Sequence, residues 1–211
     1  MRAIRILREV DWIAAEDTRR TGVLCRAYGI DRPLLPHHAH NEHRETGRLV
    51  AKLQAGEVGA LVTDAGMPGL ADPGFLLARA ARRAEISVTV LPGASVVTTA
   101  LLASGFPPEP FQFRGFVPPT SARRAAYLAE VAAVEMTVVI FETPHRIHAT
   151  LTAAILALGD RPIAYCREMT KLHEEVRVGT AAMLLADLPT KVLGELALVL
   201  GPRARRGGWE Q

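Results

Sequence analysis

Residues 61–74 of this 211-residue chain read Leu-Val-Thr-Asp-Ala-Gly-Met-Pro-Gly-Leu-Ala-Asp-Pro-Gly and combine two aspartates, three glycines and two prolines in one stretch. Asp64 and Asp72 supply acceptors for hydroxyls, an ammonium or a cation. Gly66, Gly69 and Gly74 let the backbone come close to a ligand. Pro68 and Pro73 hold the segment in shape without a bound partner. The spacing is neither Gly-x-Gly-x-x-Gly nor Gly-x-x-x-x-Gly-Lys-Ser/Thr, so the ordinary nucleotide-phosphate motifs do not apply. The bland alternative is a long connection whose glycines only satisfy turns.

Six other polar sets sit at the ends of short apolar runs: Glu16-Asp17-Thr18-Arg19, His37 to His43, Pro92 to Ser95, Glu142-Thr143-Pro144-His145-Arg146, Arg167-Glu168-Met169-Thr170-Lys171 and Gly194-Glu195. His37, His38, His40 and His43 are joined by no cysteine and match no helix-borne zinc spacing. Together with Asn41 they suit contacts to phosphate, sugar or base edges, or else form a polar surface loop. Glu142 and Glu168 are placed for acid–base work, or equally for pairing with Arg146 and Arg167.

These groups must be carried by an alternating fold. Strands are expected at residues 12–15, 34–35, 59–63 and 87–91, with helices at 2–10, 21–28, 45–54, 75–81 and 96–104. That alternation predicts an α/β domain with a mainly parallel sheet covered on both faces. In such sheets ligands bind at the carboxyl ends of the strands, where residues 64–74 would lie. The proline-rich stretches at 105–110 and 118–119 read as a linker. The expected division is therefore 1–106 and 107–211. The second α/β unit has helices at 121–134, 146–158 and 180–186. Its more mixed sheet comprises strands at 137–141, 163–167, 175–178 and 196–200. A disordered tail is expected from about 203. Loops from two such units can face one interdomain cleft.

The hydrophobic share of 49% permits a sizeable core. No apolar run approaches a membrane span and no signal peptide is visible. Two motif-free cysteines, Cys25 and Cys166, suit a reduced, cytoplasmic protein. A net charge of +3 permits nucleic-acid binding without arguing for it. The arginines, however, crowd early: Arg2, Arg5, Arg8, Arg19, Arg20, Arg26 and Arg32.

The ordered motifs Ala-Ala-Glu-Asp-Thr-Arg, His-x-His-Asn-Glu, Thr-Asp-Ala-Gly-Met-Pro-Gly-Leu-Ala-Asp-Pro-Gly, Leu-Pro-Gly-Ala-Ser, Phe-Glu-Thr-Pro-His-Arg and Arg-Glu-Met-Thr-Lys resemble one family closely. It is the bacterial small-subunit 2′-O-ribose methyltransferases that act on a decoding-region cytidine of 16S rRNA, within the tetrapyrrole methylase-like fold. The resemblance runs from about Ile4 to Leu200. It implies two α/β/α domains with S-adenosyl-L-methionine in the cleft between them, a homodimer, and 16S rRNA or the small ribosomal subunit as partner, with no membrane and no metal. Carried over by position, Asp64, Ala65, Gly66 and Pro68, then Pro92, Gly93, Ser95 and Val96, would contact the cofactor. So would Phe141, Glu142, Arg167, Glu168, Gly194, Glu195 and Leu196 from the second domain. Arg19, Arg20, His37, His38, His40 and Asn41 would face RNA. Members of that family open with a strand and a Thr-Pro-Ile-Gly-Asn-Leu-like loop, whereas Met1 here opens almost directly on the first helix. The resemblance thus implies an amino-terminally truncated member lacking the first strand.

The implied reaction is attack of a ribose 2′-oxygen on a sulfonium methyl. Positioning contributes much of the acceleration, and a base helps as the hydroxyl gives up its proton. Glu16, Asp17, Glu142 and His40 are the candidates for that base. Two further readings stay open: methylation of a tetrapyrrole precursor, and a non-catalytic RNA-binding remnant.

Overall fold

The structure, a computed structural model, describes residues 1–203. The expected disordered tail falls almost wholly outside them. The chain divides into two compact units, Met1–Ser95 and a second beginning at Val96.

In the first unit the short apolar run Trp12–Ala15 is β1, buried at every position. It is flanked in parallel by β2 (Leu34–Pro36) and β3 (Gly59–Val62), giving the order β2-β1-β3. Side chains alternate across a strand, and the two faces fill accordingly. Ile13 packs with Val10, Cys25 and Ile30 under α1 (Arg2–Glu9) and α2 (Thr18–Ala27). Trp12 and Ala14 pack with Leu49 and Leu77 under α3 (Glu42–Gln54) and α4 (Phe75–Arg83). Pro36, which cannot donate to a ladder, stands on an edge strand as it must.

The second unit opens with α5 (Val96–Ala103). Its sheet runs in the order β4-β5-β8-β6-β7, formed by β4 (Phe111–Phe116), β5 (Thr137–Glu142), β6 (Ile163–Arg167), β7 (Glu175–Gly179) and β8 (Leu196–Leu200). β4 and β5 are parallel, and the remaining pairs are antiparallel. Val139, Ala164, Cys166, Ala197 and Val199 meet Val97, Ala100 and Leu101 of α5 on one face. Val138, Ile140, Ile163, Tyr165, Leu198 and Leu200 meet α6 (Ser121–Ala132), α7 (Ile147–Leu158) and α8 (Ala181–Asp187) on the other. Each unit is thus an α/β/α layer sandwich.

Three sequence expectations differ from this. Residues 87–91 form no strand: β3 ends its sheet and no backbone among the described residues pairs with the Ser87–Leu91 stretch, so Val90 stays exposed. A β-branched run without a ladder partner is not a strand. Residues 111–116, assigned no element from sequence between the proline-rich stretches 105–110 and 118–119, are edge strand β4. The units divide between Ser95 and Val96 rather than at 106, because α5 buries its apolar side on the second sheet. Among the described residues no helix is long and apolar enough to cross a membrane.

Candidate functional site

The three parallel strands of the first unit deliver their carboxyl ends together. β1 ends in Glu16 and Asp17, β2 in the histidine loop, and β3 in Thr63 and Asp64. Ala15 pairs with Val62 in register, so Glu16 and Thr63 emerge side by side. Glu16 Oε2 accepts the Thr63 hydroxyl at 2.6 Å and the Asp64 amide at 3.1 Å. Arg20 donates to the Asp64 carboxylate at 3.2 Å. The beginning of the 64–74 loop is therefore fixed by a carboxylate from β1 and a guanidinium from α2.

The loop's other end is fixed as well. Gly69 N donates to Pro73 O at 3.1 Å, closing a turn. Gly74 N donates to Glu42 of α3 at 2.8 Å. Between the two anchors Ala65 and Gly66 are exposed, and a Cβ built at Gly66 meets nothing within 4 Å. Met67 Sδ lies 3.3 Å from where a Gly93 Cβ would stand, so the 64–74 loop and the Pro92-Gly93 turn share one wall.

Asp17 caps α2. Its side chain accepts the Arg19 amide at 2.9 Å and the Arg19 guanidinium at 2.8 Å. Those bonds hold its carboxyl well below the usual range. The histidine loop separates into parts. His40 and His43 are exposed, and His38 is half-buried with its ring 6.0 Å from that of His40. His37 is fully buried, and neither ring nitrogen has a hydrogen-bond partner among the described residues. Burial pushes its pKa down, which Glu42 and Glu45 oppose. Asn41 is also buried. It accepts the His38 amide at 2.8 Å and donates to Pro36 O at 3.0 Å, so it shapes the turn. Among the residues expected to face RNA, His37 and Asn41 thus lie inside. Arg19 and Arg20 are exposed while paired to Asp17 and Asp64.

In the second unit the antiparallel pairings bring three expected segments to one end of the sheet. Leu196 at the start of β8 pairs with both Glu142 at the end of β5 and Arg167 at the end of β6. Glu142 is buried. It accepts the Thr143 amide at 2.7 Å, the Arg146 guanidinium at 2.8 Å and the Thr150 hydroxyl. Phe141 packs on the opposite face against Phe113 and Phe116, with ring centroids 4.8 and 5.4 Å away. Glu168 exchanges two bonds with Glu195: its amide donates to Glu195 O at 3.0 Å, and its carboxylate accepts the Glu195 amide at 2.8 Å. Lys171 bridges both carboxylates at 2.9 Å. Arg167 turns to Glu175 at 2.8 Å and lines a cavity of about 460 Å³ with Tyr165, Arg177 and Lys191. Thr63, Glu42, Thr150 and Lys171 were not assigned roles from the sequence. Thr63, Glu42 and the Lys171–Glu195 contact act across 24 to 47 residues, which spacing does not report, while Thr150 and the Lys171–Glu168 pair depend on local turns that bring short-range partners together.

Residues 1–185 match the family described as Tetrapyrrole (Corrin/Porphyrin) Methylases. Two relatives, both described as ribosomal RNA small subunit methyltransferase I, come from Halalkalibacterium halodurans and Synechocystis. The first is 45% identical over 85% of this chain and the second 42% over 94%. The chain spans 62% of the first relative's length and 72% of the second's. The solved uroporphyrin-III-C-methyltransferase from Thermus thermophilus is similar in fold, with a TM-score of 0.61 at 24% identity, covering 95% of this chain and 86% of that one. With the two α/β/α units and this match over most of its length, the chain belongs to the tetrapyrrole methylase family.

Proposed function

We propose that this chain carries the S-adenosyl-L-methionine-dependent methylation of small-subunit ribosomal RNA, at the ribose 2′-oxygen of a decoding-region cytidine. The observation that carries the reading is the doubly anchored 64–74 loop at the carboxyl end of a parallel sheet, in a chain 45% identical to a relative described as a ribosomal RNA methyltransferase.

The residues present suit the cofactor. Asp64 offers a carboxylate to hydroxyls or an ammonium, and the open space beside Gly66 lets a ligand lie on bare backbone. The Met67 and Pro92-Gly93 contact supplies apolar surface. Asp64, Ala65, Gly66, Pro68, Pro92, Gly93, Ser95 and Val96 are assigned to it, with Phe141, Glu142, Arg167, Glu168, Gly194, Glu195 and Leu196 from the second unit. When bound, the cofactor supplies a sulfonium methyl: the ribose oxygen forms the new O–C bond, the C–S bond breaks, and the hydroxyl proton passes to a base.

The chain's own groups divide that work. Glu16 holds Thr63 and Asp64, and Glu142 is buried with its oxygens bonded, so both position rather than accept a proton. Asp17, held ionised by Arg19, is a weak base. His40 is exposed at the same sheet end and is the assigned proton acceptor. Arg19, Arg20 and His38 contact RNA phosphates or sugar. The small ribosomal subunit is the partner, and the working protein is a cytoplasmic homodimer.

The test is transfer of labelled methyl from S-adenosyl-L-methionine to small subunits lacking the modification, followed by mapping of the labelled nucleotide. Label on one cytidine ribose is expected. Binding of S-adenosylhomocysteine with no label in RNA overturns the substrate assignment.

A further inference from the structure

Gly74, which precedes helix α4 as its N-cap, has a φ of +135°. A Cβ there would stand 2.6 Å from Leu61 Cδ2 and 3.2 Å from Gly69 N. The position therefore excludes Ser, Thr, Asp and Asn, the residues that ordinarily cap a helix through their own side chains. The first amides of α4 must find an acceptor elsewhere.

Glu42 supplies it from the start of α3. One oxygen, Oε1, accepts both the Gly74 amide at 2.8 Å and the Leu76 amide at 3.1 Å. A carboxylate at that place also meets the positive end of α4. Glu42 is tied in turn to the histidine loop. Its amide donates to His38 O at 2.9 Å, and the preceding Asn41 locks the turn through His38 N and Pro36 O.

We propose that Glu42 is a positioning residue for the cofactor: it caps α4 from α3, fixes the far end of the 64–74 loop, and sets that loop relative to the histidine loop. The proposal rests on the cofactor assignment above. Glu16 anchors the loop at Asp64 and Glu42 anchors it at Gly74, so the intervening Ala65, Gly66, Met67 and Pro68 span two fixed points. Losing either anchor leaves the ligand to order the loop on binding, and affinity falls accordingly.

The acceptor oxygen carries most of the role, and the charge adds to it at the positive end of α4. Glu42→Gln keeps a carbonyl oxygen where Oε1 stands, and Glu42→Ala removes it. The experiment is calorimetric titration of S-adenosylhomocysteine into the wild-type chain and both variants, with hydrogen exchange at the Gly74 and Leu76 amides and urea unfolding of each. Glu42→Ala is expected to weaken binding by about ten-fold and to lose protection at those two amides, while Glu42→Gln stays within about three-fold of wild type. Should Glu42→Ala fail to fold, Glu42→Asp, one methylene short of both amides, is expected to lie between the two. Wild-type affinity in Glu42→Ala, or in Glu42→Asp where that variant stands in, overturns the proposal. So does Glu42→Gln binding as weakly as Glu42→Ala. If the wild type binds no S-adenosylhomocysteine, the cofactor assignment fails on its own. The anchoring claim is then decided by exchange at Gly74 and Leu76, and unchanged protection in Glu42→Ala overturns it.

Discussion

Glu16 accepts the Thr63 hydroxyl at 2.6 Å across the parallel pair β1 and β3. The same oxygen takes the next amide in the chain, that of Asp64, so one side chain sets the direction in which the 64–74 loop leaves its strand. A hydrogen bond to a charged acceptor contributes more than a neutral one. Thr63→Val keeps the β-branched shape and removes the donor. It is expected to lower stability by about 1 kcal/mol in urea unfolding and to weaken S-adenosylhomocysteine binding, with Thr63→Ser restoring both. If Thr63→Val binds and unfolds like wild type, the bond does not anchor the loop.

The loop's backbone was legible in the sequence because its glycines and prolines are clustered, and Gly66, Gly69 and Gly74 do take positive φ. The strands Trp12–Ala15 and Leu196–Leu200 were legible from uninterrupted apolar runs. Other features were hidden for identifiable reasons. β4 lies between prolines and bulges at Gly115, so its apolar residues do not show a clean period of two. Residues 87–91 have strand composition, but a strand needs a neighbouring backbone, which composition cannot report. His37 and Asn41 look like their exposed neighbours His40 and His43 by residue type, and only the packing of the turn against β2 and α3 sends them inward. Glu42 caps a helix 32 residues away, a relation that local motifs do not encode.

His37 predicts an acid-sensitive fold. Its imidazole is fully buried with its nitrogens unpaired, Glu42 lies 3.9 Å from Nε2, and Glu45 and His38 complete its charged surroundings. Burial lowers the folded pKa below the ordinary 6.5, and the two glutamates only partly offset it. Below that ordinary value the unfolded chain takes up the proton first, so stability is full above it and falls as the pH drops through the folded value. His37→Leu removes the titration. Urea unfolding at pH 7.5 and 5 is expected to show a smaller acid loss in the variant than in the wild type. Parallel losses in both proteins would assign the acid sensitivity to other groups.

The buried Glu142 depends on its partners. Arg146 approaches it at 2.8 Å, and the Thr143 amide and Thr150 hydroxyl take its remaining acceptor capacity. Removing one member of a buried pair strands the other charge, at a cost of about 3–5 kcal/mol. Arg146→Met is expected near the lower end of that range, because its side chain retains 19% exposure. Glu142→Gln combined with Arg146→Met should recover part of the loss, since no isolated charge is left inside. A double-mutant cycle in urea measures this. An Arg146→Met variant as stable as wild type would show that Glu142 is solvated by other means.

Gly194 marks the tightest spot at the end of the second sheet. Its φ is +95°, and a Cβ would lie 2.5 Å from Glu168 Cγ. Glu168 cannot move aside cheaply, because its amide and its carboxylate both bond Glu195. Those contacts, the Glu195 amide foremost and then Lys171, hold the Glu168 carboxyl below its ordinary pKa. Gly194→Ala therefore adds an unfavourable backbone conformation to a steric conflict, and is expected to cost about 2 kcal/mol or more. Lys171→Met removes two ion pairs made by a lysine that is itself 44% exposed, so its stability loss should stay near or under about 1 kcal/mol. The two variants separate backbone geometry from charge at one place. If S-adenosylhomocysteine affinity falls in Gly194→Ala and holds in Lys171→Met, the Glu168–Glu195 exchange shapes the cofactor wall. If affinity falls only in Lys171→Met, the cationic bridge matters instead, and Gly194 is required for folding alone.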